Sequence, residues 1–388
     1  MTDMTAYFDY NATAPVKPGV AVAVADALAV GGNPSSVHRN GRLAHAVIER
    51  AREQVAGLVG AASRDVIFTS GGTEANNLAL HALVTKTDQE PAGRRLIVSA
   101  IEHPSVLAAA DHLGATRLPV DGDGVVDLAE LERLLAADER PTLISIMLAN
   151  NETGVIQPIA QAAVIAHKYN ALLHVDAVQA AGRLALDINE LGVDLMSLSA
   201  HKLGGAMGTG ALIVTPGVGK ISRLLHGGGQ ERGLRPGTEN VPGIAGFGVA
   251  AELALEDLAR ADEIKALRDD IEAHLTNAAS DARVVGVGVP RLNNTTCITM
   301  PGVASETQVM ALDLAGVAVS AGAACSSGKV VRSHVLSEMG LAPDEADSAI
   351  RISLGWQTSA NDIERLKAAW TEITGRLGGT KQKSASAA

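Results

Sequence analysis

Lys202 stands where an apolar segment gives way to glycines, in the stretch SLSAHKLGGAMGTGA of residues 197–211. Ser199 and His201 come just before it. A buried lysine without a partner is costly, whereas a surface lysine needs no such setting. The stretch is therefore either a solvated loop or the position of a lysine whose amine acts as a nucleophile.

Other polar residues also follow short apolar segments that are typical of strands. Asp176 is near the end of ALLHVDA, with Gln179 three residues on, and His103 follows RLIVSA and precedes a proline. Each has a simpler explanation, because aspartate is a good helix N-cap and a lone histidine is more often a loop residue than a catalyst. Asn150 and Asn151, after LISIMLA, could form a turn.

The stretch GGTEANN follows the predicted strand DVIFTS directly. Glycines let backbone amides approach an anion, and a helix that begins at Thr73 would favour phosphate at its N-terminus. A plain strand-to-helix turn capped by Thr73 explains the stretch equally well. The GxxxxGK[ST] phosphate loop is absent, as is a GxGxxG fingerprint that opens a helix.

These weak signals share one position in the predicted fold. In open α/β sheets, ligands bind outside the C-terminal ends of the strands. The 26 residues from Asp176 to Lys202 fit one β-α-β step, so neighbouring strand ends can hold a ring nitrogen and an aldehyde. This combination predicts pyridoxal 5'-phosphate bound to Lys202 as a Schiff base, with Ser199 and His201 near its phosphate.

Composition narrows the class of protein. The 388 residues include 32 Lys+Arg and 43 Asp+Glu, for a net charge of −11, which argues against binding to nucleic acid or to anionic lipid. Two cysteines, Cys297 and Cys325, are too few for a secreted disulfide scaffold. No apolar run reaches the ~20 residues of a membrane-spanning helix. We therefore expect a cytoplasmic protein without membrane contact.

Strand and helix patterns alternate through the first two-thirds of the chain, which predicts an α/β fold with a largely parallel sheet covered on both faces. A long charged helical pattern (241–278) leads to a smaller α/β domain. We predict a large domain over 16–255, a small domain over 1–15 and 256–378, and a disordered tail over 379–388. Asp127 and Glu130 predict a capping box.

Ten motifs extend the analysis from single residues to the whole chain: FDYNATAP, GNPSSVHRNG, FTSGGTEANN, IEHPS, ANNETG, HVDAVQ, SAHKLGG, RPGTEN, SAGAACSSG and IRISLG. In this order they resemble the cysteine desulfurases, fold-type-I pyridoxal-phosphate enzymes of the class-V aminotransferase group, and are most similar to the nitrogen-fixation and iron–sulfur type. The resemblance runs from about residue 7 to 375. It implies a large cofactor-binding domain with a mainly parallel mixed sheet between helices, plus a smaller C-terminal α/β domain.

The resemblance also implies roles for single residues. Lys202 would carry the cofactor, and His103 would stack on its ring and shuttle protons. The other cofactor contacts would be Asp176 on the ring nitrogen, Gln179 on the ring hydroxyl, Asn151, and, around the phosphate, Gly72, Thr73, Ser199, His201 and, from the other subunit of an obligate homodimer, Thr238. Asn151 and Arg351 would bind the substrate, with Arg351 on its carboxylate.

Cys325 would carry the specific chemistry. It lies in SAGAACSSGKVVRSH, a stretch of small residues typical of an exposed loop, whereas Cys297 in TTCITM fits a buried strand. The implied reaction removes sulfur from L-cysteine, gives L-alanine and leaves a persulfide on Cys325 for an acceptor such as an iron–sulfur scaffold protein. We predict no intrinsic metal site, although an iron–sulfur cluster could contact Cys325 transiently.

Three alternatives stay open. The chain could catalyse aminotransfer, which would not need Cys325, or selenocysteine lysis, which might still use it. It could also be a non-catalytic partner in sulfur assembly that keeps only the fold. Intact Lys202, Asp176, His103 and Cys325 argue against that third alternative, because a scaffold has no use for all four.

Overall fold

The computed structural model describes residues 5–84, 93–219, 221–321, 323–324 and 330–385. Side chains are described over the same ranges, except at 323–324, 330–331 and 377–385. Cys325 and the tail residues 386–388 lie outside the described residues.

The first strand, β1 (Ala6–Tyr7), belongs to the C-terminal part of the fold, and the next seven strands form one sheet. They are β2 (Val66–Thr69), β3 (Arg95–Ser99), β4 (Thr116–Leu118), β5 (Thr142–Ser145), β6 (Leu172–Asp176), β7 (Leu195–Ser199) and β8 (Gly210–Val214). Their order is β2–β8–β7–β6–β5–β3–β4, and only β8 runs antiparallel to its neighbours. The predicted mainly parallel sheet is confirmed.

Helices cover both faces of this sheet. They are α1 (Pro18–Val30), α2 (Arg39–Leu58), α3 (Gly72–Val84), α4 (Pro104–His112), α5 (Leu128–Ala136), α6 (Ile159–Lys168) and α7 (Val241–Asp257). Phe68 packs in the core formed with α2, α5, α6 and α7, whereas its neighbour Ile67 packs with α3 and α4 on the other face. Successive strand side chains point to opposite faces, so continuous apolar strands need cover on both sides.

A second, four-stranded sheet forms the core of the C-terminal part. Its strands are β9 (Arg283–Val284), β10 (Thr295–Thr299), β12 (Ser320–Ala321) and β15 (Ile350–Ser353), in the order β12–β15–β10–β9. The remaining elements are β11 (Val317–Ala318), β13 (Ala323–Ala324), β14 (Val330–Val331), α8 (Ala261–Ala278), α9 (Ser305–Leu314), α10 (His334–Glu338), α11 (Pro343–Ala346) and α12 (Ala360–Ala385). β1 pairs with β11, and Phe8 shares a core with Trp370 of α12. The predicted domain boundaries stay a prediction.

Two local predictions differ from the structure. The helical pattern 241–278 forms two helices, because a short 3-10 turn (Leu258–Arg260) separates α7 from α8. Asp127 caps α5 through the backbone N–H of Glu130, but the Glu130 carboxylate pairs with Arg133, so the reciprocal half of the capping box is missing. The last helix continues to Ala385, and the predicted disorder of residues 379–388 stays a prediction. No helix within the described ranges is long and apolar enough to cross a bilayer.

Candidate active site

A cavity of about 460 Å³ lies beyond the C-terminal ends of the parallel strands. The predicted site residues that line it are Gly72, Thr73, His103, Asn151, Asp176, Gln179, Ser199, His201, Lys202 and Arg351. Thr238 is exposed and does not line this cavity, and its predicted contact with the site of another subunit stays a prediction. The fold therefore brings together nearly all of the predicted residues that the structure describes.

Lys202 ends a short 3-10 turn (Ala200–Lys202) directly after β7. Its Nζ donates hydrogen bonds to the carbonyl oxygens of Asn11, at 2.5 Å, and Ala12, at 2.7 Å. Both acceptors belong to the segment after β1, so the N-terminal residues form one wall of the site. Neither acceptor is charged, and no carboxylate of the described residues forms an ion pair with this amine.

Burial lowers the pKa of the Lys202 amine to about 7. Two cations lower it further and two carboxylates oppose them; the cations are Arg351 and Arg183, and the carboxylates are Asp9 and Asp176. A large share of this amine is therefore neutral at neutral pH, which is the form that attacks an aldehyde.

Asp176 ends β6 and is held by two donors. Its Oδ2 accepts a hydrogen bond from Asn76 Nδ2 at 2.7 Å, and its Oδ1 accepts from the backbone N–H of Val178 at 3.0 Å. Asn76 also donates to Ser105 Oγ at 2.9 Å. The Oδ1 of Asn76 is buried without a partner among the described residues. The carboxylate is thus fixed in orientation, beside an oxygen that can accept another hydrogen bond.

His103 is the N-cap of α4, and the backbone N–H of Ser105 donates to its Nδ1 at 3.1 Å. In the neutral ring the proton therefore sits on Nε2. The ring lines the cavity, and desolvation lowers its pKa. Asp176 opposes the decrease, and the charges of Lys202 and His334 add to it.

The N-terminus of α3 forms one end of the cavity. Its first residues, Gly72 and Thr73, lie beside Ser199 and His201, and the same four residues also line an adjoining opening of about 500 Å³. Burial, with a further contribution from Lys202, lowers the pKa of His201 to about 4, so this ring is neutral at pH 7. Free helix N-terminal amides, a hydroxyl and a neutral imidazole are suitable donors for a phosphate.

Gln179 lines the cavity between Lys202 and a second arginine. Its Nε2 donates to the Asn11 carbonyl oxygen at 2.9 Å, the same oxygen that accepts from Lys202. Its Oε1 accepts a short hydrogen bond from Arg183 Nη1. Because the carbonyl only accepts and the guanidinium only donates, both ends of the Gln179 amide are unambiguously oriented.

Arg351 lies on β15 and brings a guanidinium to the cavity. Its Nη2 donates to Asp9 Oδ1 at 2.7 Å and its Nη1 to the Asn151 carbonyl oxygen at 3.0 Å, while its Nε is buried without a partner in the described structure. The side chain is only 6% exposed. This oriented cation can bind a carboxylate, although Asp9 already occupies part of it.

Several lining residues had no predicted role. Asp9, Asn11, Asn76 and Glu152 occur in motifs that the sequence singled out, and the only available signal was their presence there. His334 ends the stretch SAGAACSSGKVVRSH but likewise had no predicted role. Its Nε2 donates to the backbone oxygen of Glu102 at 3.0 Å, across a separation of 232 residues.

The structure describes Cys297 but not Cys325. Cys297 lies on β10 with 1% exposure, and burial raises the pKa of its thiol to about 12. It is therefore a buried structural residue, as predicted. Cys325 lies outside the described residues, so its proposed role rests on the sequence.

The residues present fit pyridoxal phosphate. Lys202 offers a largely neutral amine and Asp176 an oriented carboxylate, while the unpartnered Asn76 Oδ1 is suited to a bound polar group. Gly72 keeps the wall of the cavity open, since a Cβ there would lie 2.9 Å from Val178 Cγ2. The donors at the α3 N-terminus are suited to the phosphate.

Comparisons with known proteins agree with this arrangement. The sequence profile of the aminotransferase class-V family matches residues 6–366. A cysteine desulfurase of Cereibacter sphaeroides is 43% identical over 368 residues, which are 93% of each chain. The X-ray structure of a NifS-like protein from Rickettsia africae is 38% identical, with a TM-score of 0.88 over 96% of this chain and 99% of that one. A structure described as SspA in complex with cysteine is 31% identical, with a TM-score of 0.75 over 90% of this chain and 98% of that one. The chain therefore belongs to the class-V aminotransferase family and, within it, to the pyridoxal-phosphate-dependent cysteine desulfurases.

Proposed function

We propose that the chain removes sulfur from L-cysteine, releases L-alanine and leaves a persulfide on Cys325. The observation that carries this proposal is the convergence of Lys202, Asp176, His103 and Arg351 on one cavity. An amine, a carboxylate, an imidazole and a guanidinium at these positions can handle an amino acid with one free carboxylate. The solved relative with bound cysteine supports that choice of substrate.

Each group has a distinct task. Bound pyridoxal phosphate supplies an electron sink for the substrate's Cα. Asp176 holds the ring nitrogen, with its own orientation fixed by Asn76. Arg351 would orient the substrate carboxylate, and Lys202 would take the Cα proton at Nζ, because its pKa of about 7 suits a base at neutral pH. His103 donates from Nε2 into the cavity.

The sulfur step exchanges one bond for another. The Cβ–Sγ bond of the substrate breaks, and its electron pair stays on carbon, which gains a proton as alanine forms. The thiolate of Cys325 attacks the substrate sulfur and forms the new S–S bond. One cysteine and one thiol thereby give one alanine and one persulfide. Cys297 is unsuited to this step, because its buried thiol has a pKa of about 12.

The proposal includes a homodimer that shares its sites. The phosphate end of the site joins the opening of about 500 Å³, whose wall includes Met207, 68% exposed. On α1, which is apolar nearly all round, Val22 and Leu28 are 60% and 66% exposed. A second copy that covers these surfaces and contributes Thr238 to the phosphate would explain both features.

We further propose a cytoplasmic location and a sulfur-acceptor protein of iron–sulfur or thio-cofactor assembly. A cluster could contact Cys325 transiently during transfer. Aminotransfer and selenocysteine lysis remain the alternatives to be tested, since neither conflicts with the Lys202–Asp176 pair.

Intact-mass measurement tests the proposal. Cofactor-loaded protein is incubated with L-cysteine without reductant, beside the Cys325→Ala and Cys297→Ala variants. We expect added sulfur on the wild type and on Cys297→Ala, together with released alanine, and none on Cys325→Ala. Absence of both sulfur and alanine from the wild type, despite bound cofactor, would refute the desulfurase proposal and favour the alternatives.

A further inference from the structure

Arg183 is a partly buried cation whose hydrogen bonds go to uncharged oxygens. Its Nη1 donates to the Gln179 backbone oxygen at 2.7 Å and to Gln179 Oε1, and its Nη2 to the Tyr10 backbone oxygen at 3.4 Å. No carboxylate of the described residues forms an ion pair with it. Burial and the charge of Arg351 lower its pKa to about 9, so it remains charged at neutral pH. A buried charge without a counter-ion is costly, which calls for a reason to retain it.

A chain of hydrogen bonds links Arg183 to Lys202. Arg183 donates to Gln179 Oε1, Gln179 Nε2 donates to the Asn11 carbonyl oxygen, and that oxygen also accepts from Lys202 Nζ. Without Arg183, Gln179 Oε1 would lose this donor, and the Asn11 carbonyl oxygen alone would hold the amide. Arg183 therefore fixes the oxygen end of the amide and, with it, the N–H end that faces the lysine.

We propose that Arg183 is a positioning residue of the active site. It fixes the Gln179 amide so that the amide N–H groups face Lys202, and it supplies a positive charge behind Gln179 and Lys202. The role extends to the bound cofactor, because a Gln179 N–H group so oriented can only donate to it. This inference rests on the proposed placement of pyridoxal phosphate on Lys202.

A merely structural role is the competing explanation. Arg183 also lies on a small cavity of about 70 Å³ behind Lys202, and it could simply hold the Gln179 turn against Tyr10. Such a tether would affect folding but would not set the proton affinity of the site. The charged and titratable groups that act on Lys202 or lie beside it are Arg351, Arg183, Asp9, Asp176, His103 and His201. Arg183 donates hydrogen bonds only to Gln179 and Tyr10 among the described residues, so its side chain can be replaced without breaking a hydrogen bond of the other five groups.

The test is a spectral pH titration of the cofactor-loaded enzyme. The pH midpoint of the visible absorption band of bound pyridoxal phosphate is compared between the wild type and Arg183→Gln. Loss of the positive charge should raise the midpoint by about one pH unit. Arg260→Gln is the matched control, because Arg260 lines the same small cavity but pairs with Glu263, and its midpoint should not move. An Arg183→Gln midpoint equal to that of the wild type would overturn the inference about the charge.

Arg183→Lys separates orientation from charge and covers the case that Arg183→Gln fails to fold. The ammonium keeps the charge but lacks the planar fork that holds two Gln179 oxygens and Tyr10. We expect a midpoint near that of the wild type and a changed visible circular dichroism of the cofactor, which reports ring orientation. An unchanged dichroism, or a midpoint raised despite the retained charge, would overturn the inference.

The outcomes for the two proposals can be told apart. If the Lys202→Ala variant showed the same cofactor absorption band as the wild type, the proposed cofactor site itself would be refuted. A band that requires Lys202 but does not respond to Arg183→Gln or Arg183→Lys would refute only the role of Arg183.

Discussion

The lowered pKa of Lys202 predicts when this amine captures the cofactor. With a pKa of about 7, roughly nine-tenths of the amine is neutral at pH 8. An ordinary lysine with a pKa of 10.5 would be about 0.3% neutral at that pH, so the reactive fraction differs roughly 300-fold. Between pH 6 and pH 8 the capture rate should rise about tenfold and then level off.

The assay mixes cofactor-free protein with pyridoxal phosphate over a range of pH, traps the product with borohydride and locates it on Lys202 by peptide mass. Free Nα-acetyl-lysine, treated in the same way, corrects for the reactivity of the aldehyde. Arg351→Met removes the cation with the largest lowering effect after burial, so its midpoint should move upward. A wild-type rate that keeps rising toward pH 10 would refute the reasoning, because burial would then not control this amine.

Three further changes test other parts of the structure. Arg52→Met leaves the buried Glu231 carboxylate without its two hydrogen bonds from Arg52, at 2.7 and 2.8 Å, and should lower the free energy of unfolding in urea by about 3–5 kcal/mol. Adding Glu231→Gln should recover part of this loss, whereas a stability equal to that of the wild type would contradict the importance of the pair. Arg351→Lys loses the planar fork of the guanidinium and should lower kcat/KM for L-cysteine roughly thirtyfold, or about 2 kcal/mol, mainly by raising KM. An assay of alanine release measures both constants, and a change in kcat alone would argue against carboxylate binding. Gly72→Ala should weaken the binding of pyridoxal phosphate roughly tenfold, as measured by fluorescence titration, because the new Cβ would contact Val178. Adding Val178→Ala should restore part of the loss, and unchanged binding in Gly72→Ala would show that this contact is harmless.

The large sheet was predictable from the sequence because its signals are local. Apolar segments such as RLIVSA and ALLHVDA became β3 and β6 nearly unchanged, since a parallel strand buried on both faces needs a continuous apolar run. The prediction of the small C-terminal sheet was less accurate. The segment VVGVGV (284–289) contributes only Val284 to β9, because its glycines and short length leave pairing to tertiary context.

The candidate site divides in the same way. Lys202, Asp176 and His103 could be recognised because each follows a predicted strand, and parallel strands bring their C-terminal ends to one edge. The partners of these residues could not be recognised. Asp9 meets Arg351 across 342 residues, and Asn11 meets Lys202 across 191, through packing of the N-terminal segment against the C-terminal sheet.

The sequence by itself therefore determined the alternation of elements, the order of the motifs and the chemical types at the strand ends. Only the tertiary structure decided that Lys202 is largely neutral, that Asn76 fixes Asp176, and that Arg183 donates to Gln179 rather than to a carboxylate of the described residues. The physical reason is that proton affinity and side-chain orientation depend on burial and on charges brought from distant parts of the chain, which no local pattern contains.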